Sequence, residues 1–165
     1  MISKDDLRIE YQIIGSFIID AATHDFINHL KEDDFIDTTN QRIFKAISDL
    51  SMEHKEINLF TVYEKSQVPI SHLTDITGTI ATTSTIESDI KVLKNKSNRR
   101  KLIQKANKII EMAKDNETDI ETIKNNAMKE IDEVESIVDD DVVTLKQGMF
   151  ETAELLENRY ENRGD

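Results

Sequence analysis

The chain has 165 residues, a length that suits one ordinary domain or one small domain with an added element. Its 21 basic and 33 acidic residues give a formal net charge of −12, which argues against non-specific nucleic-acid binding by the chain as a whole. Cysteine is absent, which excludes disulfides and thiolate sites, and the scarcity of Gly and Pro argues against an all-β fold and predicts an all-α one.

Residues 1–83 are predicted to form an N-terminal bundle of short helices. Apolar residues recur there at three- and four-residue steps and predict helices at about 7–20, 22–31, 40–53 and 59–66, with a short helix and then a loop in 71–83. Pro69 is expected to end the fourth helix. The expected caps are Asp5 or Asp6 for the first helix, Thr38 or Thr39 for the third, and Asn58 for the fourth.

Two residues of this bundle are predicted to have structural roles. Gly15 lies inside the first helix, where glycine costs about 1 kcal/mol relative to alanine. We therefore expect another backbone to approach closely at Gly15, the alternative being a glycine that is simply tolerated. Phe44 belongs to the apolar stripe of the third helix and is expected in the core.

Residues 84–138 are predicted to form a long antiparallel helical hairpin of the same domain. Ser84 or Thr85 can cap a helix over about 86–114, and Asp119 can cap a second helix over about 120–137. Two narrow stripes are expected to face each other inside the hairpin. They consist of Ile86, Ile90, Leu93, Ser97, Ile103, Ala106, Ile110 and Ala113, and of Ile120, Ile123, Ala127, Ile131 and Val134.

The hairpin also has an uneven charge pattern. Between residues 91 and 108 there are eight basic residues and no acid, whereas residues 115–141 contain eleven acids and two lysines. The two helices can complement each other within the chain, with each exposed pair contributing less than about 1 kcal/mol. Alternatively, part of the basic strip faces a partner protein or DNA, in which case the contact residues are Arg99, Arg100 and Lys101.

Residues 139–165 are predicted to be a connector followed by a separate linker helix. Asp139, Asp140 and Asp141 begin the connector, and Thr144 can cap a helix over about 145–161. Such a helix can pack on its own domain or dock on another subunit. The predicted subunit-docking stripe is Leu145, Met149, Ala153, Leu156 and Tyr160.

Catalytic and cofactor motifs are missing from the sequence. The four glycines begin no phosphate-binding loop, and the four histidines are dispersed with no metal-ligand spacing. We therefore expect no catalytic, cofactor-binding or metal site, and no enzyme activity of this chain alone. There is neither a signal peptide nor an apolar run of the ~20 residues that span a bilayer, so a soluble, cytoplasmic protein without membrane contact is predicted.

Several stretches resemble DnaB-type replicative DNA helicases. Ile9–Asp20 (IEYQIIGSFIID) is similar to the family's AEQAVLGSLLLD block, with Glu10, Gly15 and Asp20 in register. Further matches follow in the same order: 34–37 with 42–47 resemble DFYDPRHRLIFEAI, 56–62 resemble PIDLVTV, 94–103 resemble KEKAILRRLI, and the tail ELLENRYENRGD resembles the linker helix. The chain departs from the family where Thr38-Thr39-Asn40 replaces Pro-Arg-His, where a Gly-Gly step is missing, and where residues 66–85 are shortened.

The resemblance implies an N-terminal collar domain and linker from a hexameric helicase. In such proteins the domains pair, the collar contacts primase, helicase loaders engage the protein, and the linker helix packs on a neighbouring subunit. Unwinding of DNA from 5′ to 3′ with ATP and Mg²⁺ is implied for a RecA-like domain after residue 165, which would also make most of the DNA contact. We therefore expect the chain to be a piece of a longer helicase.

Two other readings stay open. The first is a helicase-binding module of a primase, which would share the fold, although the order of the motifs and the Asn-Arg-Gly tail favour the helicase. The second is a stand-alone helical adaptor or scaffold protein. The sequence beyond residue 165 would decide, since a GxxxxGK[ST] loop soon after it is expected only for the helicase.

Overall fold

The computed structural model describes residues 3–134, and all regular structure in that range is helical, which confirms the predicted all-α class. The elements are α1 (Lys4–Ile19), a 3₁₀ helix (Ala21–His29), a 3₁₀ turn (Glu32–Asp34), α2 (Thr38–Met52), α3 (Leu59–Ser66), α4 (Ile70–Gly78), α5 (Ile86–Lys114) and α6 (Ile120–Asp132). None of these helices combines the length and apolar character needed to cross a membrane. The predicted linker helix, with Leu145, Met149, Ala153, Leu156 and Tyr160, lies outside the described residues.

Two predicted helix caps are wrong. α1 is capped by Ser3, whose hydroxyl accepts from the Asp6 backbone N–H while the Asp6 carboxylate accepts from the Ser3 N–H. α2 is capped by Asp37, whose carboxylate accepts from two backbone N–H groups of the first turn. A carboxylate also complements the helix dipole, so Asp37 starts the helix ahead of the threonine hydroxyls that we expected to cap it.

The other caps follow the sequence more closely. Asn58 caps α3 and Asp119 caps α6, as predicted. Thr85 lies at the N-cap position of α5, but its hydroxyl donates to the Asp89 carboxylate and makes no capping bond. The predicted second helix is a 3₁₀ helix, held against the end of α1 by the Thr23 and His24 side chains, which donate to carbonyls of the last turns of α1.

The core of the bundle is built on three aromatic rings from separate elements. Phe35 stacks on Phe44 with ring centroids 4.8 Å apart, and Phe17 lies 6.3 Å from Phe44. All three side chains are buried, so each contributes about 1.5–3 kcal/mol of hydrophobic stabilisation. The expected core position of Phe44 is therefore confirmed.

Gly15 allows α1 to approach the end of α4. A Cβ at this position would lie 2.5 Å from Ile80 Cγ1 and 3.4 Å from the carbonyl oxygen of Ile76. The first distance is well below a van der Waals contact, so a side chain at residue 15 requires Ile80 to move. We expected another backbone to approach closely at Gly15, but the atoms nearest to it belong to the Ile80 side chain, and the Ile76 backbone oxygen lies farther away.

The predicted inner stripes of the hairpin are wrong in the distal half of α5. Ile103 and Ile110 are 62% and 52% exposed, and Ala106 and Ala113 are also exposed. The residues turned towards α6 are Lys105, Ile109 and Met112, which are half-buried. Ser97 and Ile103 are six residues apart, and at about 100° per residue they lie about 120° apart around the helix. The predicted stripe therefore joined two different faces.

The stripe on α6 is correct in part. Ile123 is buried, and Ala127 and Val134 are half-buried, as predicted. Ile120 and Ile131 are 66% and 51% exposed, so they do not face α5. The contact between the two helices is consequently narrower than expected, and apolar side chains are left on its outer surface.

Candidate protein-interaction surface

A buried carboxylate fixes α5 to the bundle. Asp34 has no exposed surface, and its carboxylate accepts from the Lys31 backbone N–H at 2.9 Å and from the Ser97 hydroxyl at 2.8 Å. Two lysines of α5 complete the cluster, with Lys94 Nζ at 3.1 Å and Lys101 Nζ at 3.4 Å from its oxygens. Because three of these partners lie on α5, the cluster sets the position of the hairpin base.

The electrostatics of Asp34 reflect these contacts. Burial on its own would raise the pKa of its carboxyl group, because the charged form loses hydration. The hydrogen bonds from Lys31 and Ser97, together with the charge of Lys94, outweigh that effect and lower the pKa of Asp34 below its usual value. Asp34 is therefore held as a carboxylate that stabilises the fold near neutral pH.

The three basic residues predicted as partner or DNA contacts have different positions. Arg100 donates to the Asp34 carbonyl at 2.6 Å, and Lys101 pairs with the carboxylates of Asp33 and Asp34. Both cations are thus engaged within the domain. Arg99 is exposed, and its Nε donates to the side chain of Asn95 one turn earlier on α5. Of the three, Arg99 is the one whose side chain is turned to solvent.

Glu10 makes a second buried carboxylate contact, between α1 and the start of α2. Its oxygens accept from the Ile36 N–H at 2.5 Å and from Asn40 Nδ2 at 2.7 Å. Burial raises the pKa of Glu10, and the hydrogen bonds from Asn40 and Ile36 oppose that rise in part. Sequence reasoning placed Glu10 only by its register with a family block, since nothing local indicates a partner 26 residues away.

The basic and acidic helices of the hairpin do complement each other. Lys105 Nζ lies 2.6 Å from carboxylate oxygens of both Glu130 and Glu133, and Lys108 also pairs with Glu130. The hydrogen bonds from Lys105 and Lys108 lower the pKa of Glu130. For this part of the basic strip, the structure favours pairing within the chain over contact with a partner.

The outer surface of the hairpin has a long apolar side, which we call the hairpin apolar face. It consists of Leu102, Ile103, Ala106, Ile110 and Ala113 of α5, and Ile120, Met128 and Ile131 of α6. Its six large side chains are between 46% and 66% exposed. Arg99 precedes Leu102 and Ile103 by three and four residues, so it lies at the bundle end of this face.

The two apolar stripes lie on the same side of the hairpin. On each helix, the exposed stripe lies roughly 75–100° around the helix axis from the residues that contact the other helix. When each helix is viewed from its own N-terminus, the rotation from the contact residues to the exposed stripe has the same sense. Because the two helices are antiparallel, equal senses of rotation turn both stripes to one side. The buried residues of α5, such as Leu93 and Ser97, are rotated in the opposite sense, so the face points away from the bundle.

A metal centre and a ligand cleft are the other kinds of site to look for in the described residues. No three His, Asp or Glu side chains within residues 3–134 are grouped as the ligands of a metal ion would be. An open cleft of about 500 Å³ lies where α1 meets the start of α5, lined by Arg8, Ile9, Gln12, Thr79, Thr85 and Asp89. Large exposed apolar patches mark interaction sites in most proteins. The hairpin apolar face is therefore the best candidate for a functional surface.

Comparison with known protein families finds a match for the first part of the chain. Residues 3–95 match the family described as the DnaB-like helicase N terminal domain. The chain is 25% identical over 170 residues to the replicative DNA helicase DnaC of Bacillus subtilis (strain 168), covering 97% of this chain and 37% of that protein. It is 26% identical over 120 residues to the replicative DNA helicase DnaB of Buchnera aphidicola, covering 67% of this chain and 26% of that protein.

Two solved structures share the fold. The N-terminal domain of DnaB helicase from Mycobacterium tuberculosis superposes with a TM-score of 0.71 at 18% identity, covering 78% of this chain and 96% of that one. A DnaB-like replicative helicase, described with its interactions with primase, superposes with a TM-score of 0.65 at 19% identity, covering 88% of this chain and 36% of that one. The chain thus spans about a third of the length of the curated relatives that it matches.

Proposed function

Because this chain belongs to the DnaB-like helicase N-terminal domain family, we propose that it forms part of the collar of a replicative helicase, where it pairs with other copies of itself and contacts primase. The family match covers more than half of the chain, and the curated relatives are replicative DNA helicases. The primase contact is supported by the description of a structural relative that shares the fold.

The hairpin apolar face is the observation that carries the pairing. Its six large side chains are roughly half exposed, so burying the remainder would contribute about 1 kcal/mol each, or about 12 kcal/mol for two copies. Association costs about 4–15 kcal/mol in lost freedom of movement. Two isolated copies should therefore pair weakly, with further contacts in a longer protein reinforcing the assembly.

The proposal extends to the longer protein. We expect a hexamer in which the linker stripe of Leu145, Met149, Ala153, Leu156 and Tyr160 docks on a neighbouring subunit. In that protein a RecA-like domain after residue 165 would use ATP and Mg²⁺ to unwind DNA and would make most of the DNA contact. A helicase loader is the other expected partner, and a cytoplasmic location goes with this function.

The pairing is tested by sedimentation velocity over a range of concentrations of the 165-residue chain. Ile110→Asp should abolish concentration-dependent association, because it places a charge in the centre of the hairpin apolar face. Ile19→Asp is a matched control, since Ile19 is 51% exposed against 52% for Ile110 and lies on α1. Association of the Ile110 variant equal to that of the unmodified chain, with helicity retained in circular dichroism, would contradict the proposal.

A further inference from the structure

The bundle exposes an aromatic pair that the pairing surface does not include. Of the seven aromatic residues in the described part of the chain, five are buried or half-buried. Phe60 and Tyr63 are 60% and 37% exposed, and both belong to α3. An aromatic side chain that stays exposed contributes less hydrophobic stabilisation to the fold than a buried one does. Aromatic residues are also enriched in the surfaces through which proteins bind partners. Two of them on one short helix therefore call for a functional explanation.

The aromatic pair shares its side of α3 with a carboxylate. Phe60, Tyr63 and Glu64 are spaced at i, i+3 and i+4, so their side chains are neighbours on the helix surface. The opposite side of α3 is buried through Val62 and Ser66, which fixes the helix on the bundle. The helix is capped by Asn58 at its start and by the left-handed backbone of Gln67 at its end, and we call its exposed side the platform.

The charges around this platform leave Glu64 available to a cation from outside. The two nearest lysines in sequence, Lys55 and Lys65, both pair with Glu53, at 2.7 and 2.5 Å. Those two hydrogen bonds lower the pKa of Glu53 to about 2, so Glu53 stays ionised and both lysines are engaged in one ion-pair cluster rather than with Glu64. The Glu64 carboxylate makes no ion pair with any residue of the range 3–134, and its side chain is exposed.

We propose that the Phe60–Tyr63 face of α3 binds an arginine side chain in a basic segment of a partner protein. A guanidinium group stacks on aromatic rings and also forms paired hydrogen bonds with a carboxylate, so it matches both components of the face. The net charge of −12 would steer a basic segment towards the chain. This contact goes beyond the proposed pairing, because it uses a different surface and a partner of opposite charge.

Nuclear magnetic resonance of the ¹⁵N-labelled chain tests the proposal with a synthetic probe, acetyl-(Gly-Arg)₃-amide. Chemical shift changes should centre on residues 59–66 and saturate, and the matching lysine peptide should bind less tightly. The double variant Phe60→Ala with Tyr63→Ala should weaken binding by about tenfold, and Glu64→Gln by about threefold. Met52→Ala, which removes another exposed apolar side chain, should leave the affinity unchanged.

Other outcomes would overturn the inference. Shift changes centred on the acidic residues of α6 would show that the peptide responds only to overall charge. Equal affinity for the lysine peptide would remove the preference for arginine. Unchanged affinity in the double variant, with circular dichroism confirming that it is folded, would remove the aromatic contribution.

Discussion

Replacing Asp34 by Asn should destabilise the domain substantially. The change keeps the size of the side chain but removes the charge that Lys94 and Lys101 share, and the side chains of those lysines are only 18% and 24% exposed. Removing one partner of a buried ion pair costs about 3–5 kcal/mol. Because both lysines retain some access to water, we expect a loss of about 2–3 kcal/mol in the free energy of unfolding, just below that range.

Urea unfolding followed by circular dichroism measures this loss at pH 7. A loss of 2–3 kcal/mol corresponds to a fall of about 1–2 M in the urea midpoint. Asp33→Asn is the matched control, since Asp33 also pairs with Lys101, at 3.0 Å, but its side chain is 65% exposed. The control should lose less than about 1 kcal/mol. Equal effects of the two changes would refute the claim that burial makes the Asp34 contacts strong.

The pH dependence of the same variant provides a second check. The pKa of Asp34 in the folded chain is lowered below its ordinary value near 3.8. Its carboxylate therefore stabilises the fold above that pH, and the contribution is lost as the pH falls through the lowered pKa. The difference in stability between the unmodified chain and Asp34→Asn should be constant from pH 7 to pH 5 and shrink below pH 4. A difference that does not change in acid would contradict this assignment.

Two further changes test other features of the bundle. Burial raises the pKa of Glu10 above its ordinary value near 4.5. The stability of the unmodified chain relative to Glu10→Gln should therefore fall as the pH rises from 4 to 7, which is the opposite trend to Asp34. Thermal unfolding at several pH values measures this difference in stability, and a difference that grew with pH would contradict the stated cause. Gly15→Ala should lose up to about 2 kcal/mol, because the overlap with Ile80 costs about 1–3 kcal/mol and exceeds the helix-propensity gain of about 1 kcal/mol. Adding Ile80→Ala should recover part of that loss in urea unfolding, and no recovery would show that Ile80 is not the obstacle.

Local sequence features predicted the helices well where their ends are set by neighbouring residues. The predicted bounds of α3 and α5, 59–66 and 86–114, agree with the structure. α3 has a good cap in Asn58, and the Thr85 region begins a long run of helix formers after a threonine-rich loop. Such signals act over three or four residues, so they are visible without any tertiary information.

The candidate surfaces were harder to predict. Among the basic residues, nothing in the sequence separates Arg99, which faces solvent, from Arg100 and Lys101, which contact the Asp33–Asp34 turn. Those contacts join residues more than 60 positions apart in sequence. The hairpin apolar face was mistaken for an inner stripe, although the six-residue step between Ser97 and Ile103 indicated a change of side.

The sequence by itself determined the all-helical class, most helix ends and the family, because periodicity, caps and motif order are properties of neighbouring residues. Only the tertiary structure decided which side of α5 faces α6 and which carboxylates are buried. Packing of the first half of α5 into the bundle fixes the rotation of the whole helix, since a continuous helix turns as one body. That rotation leaves Ile103 and Ile110 in solvent, where they are available to a partner.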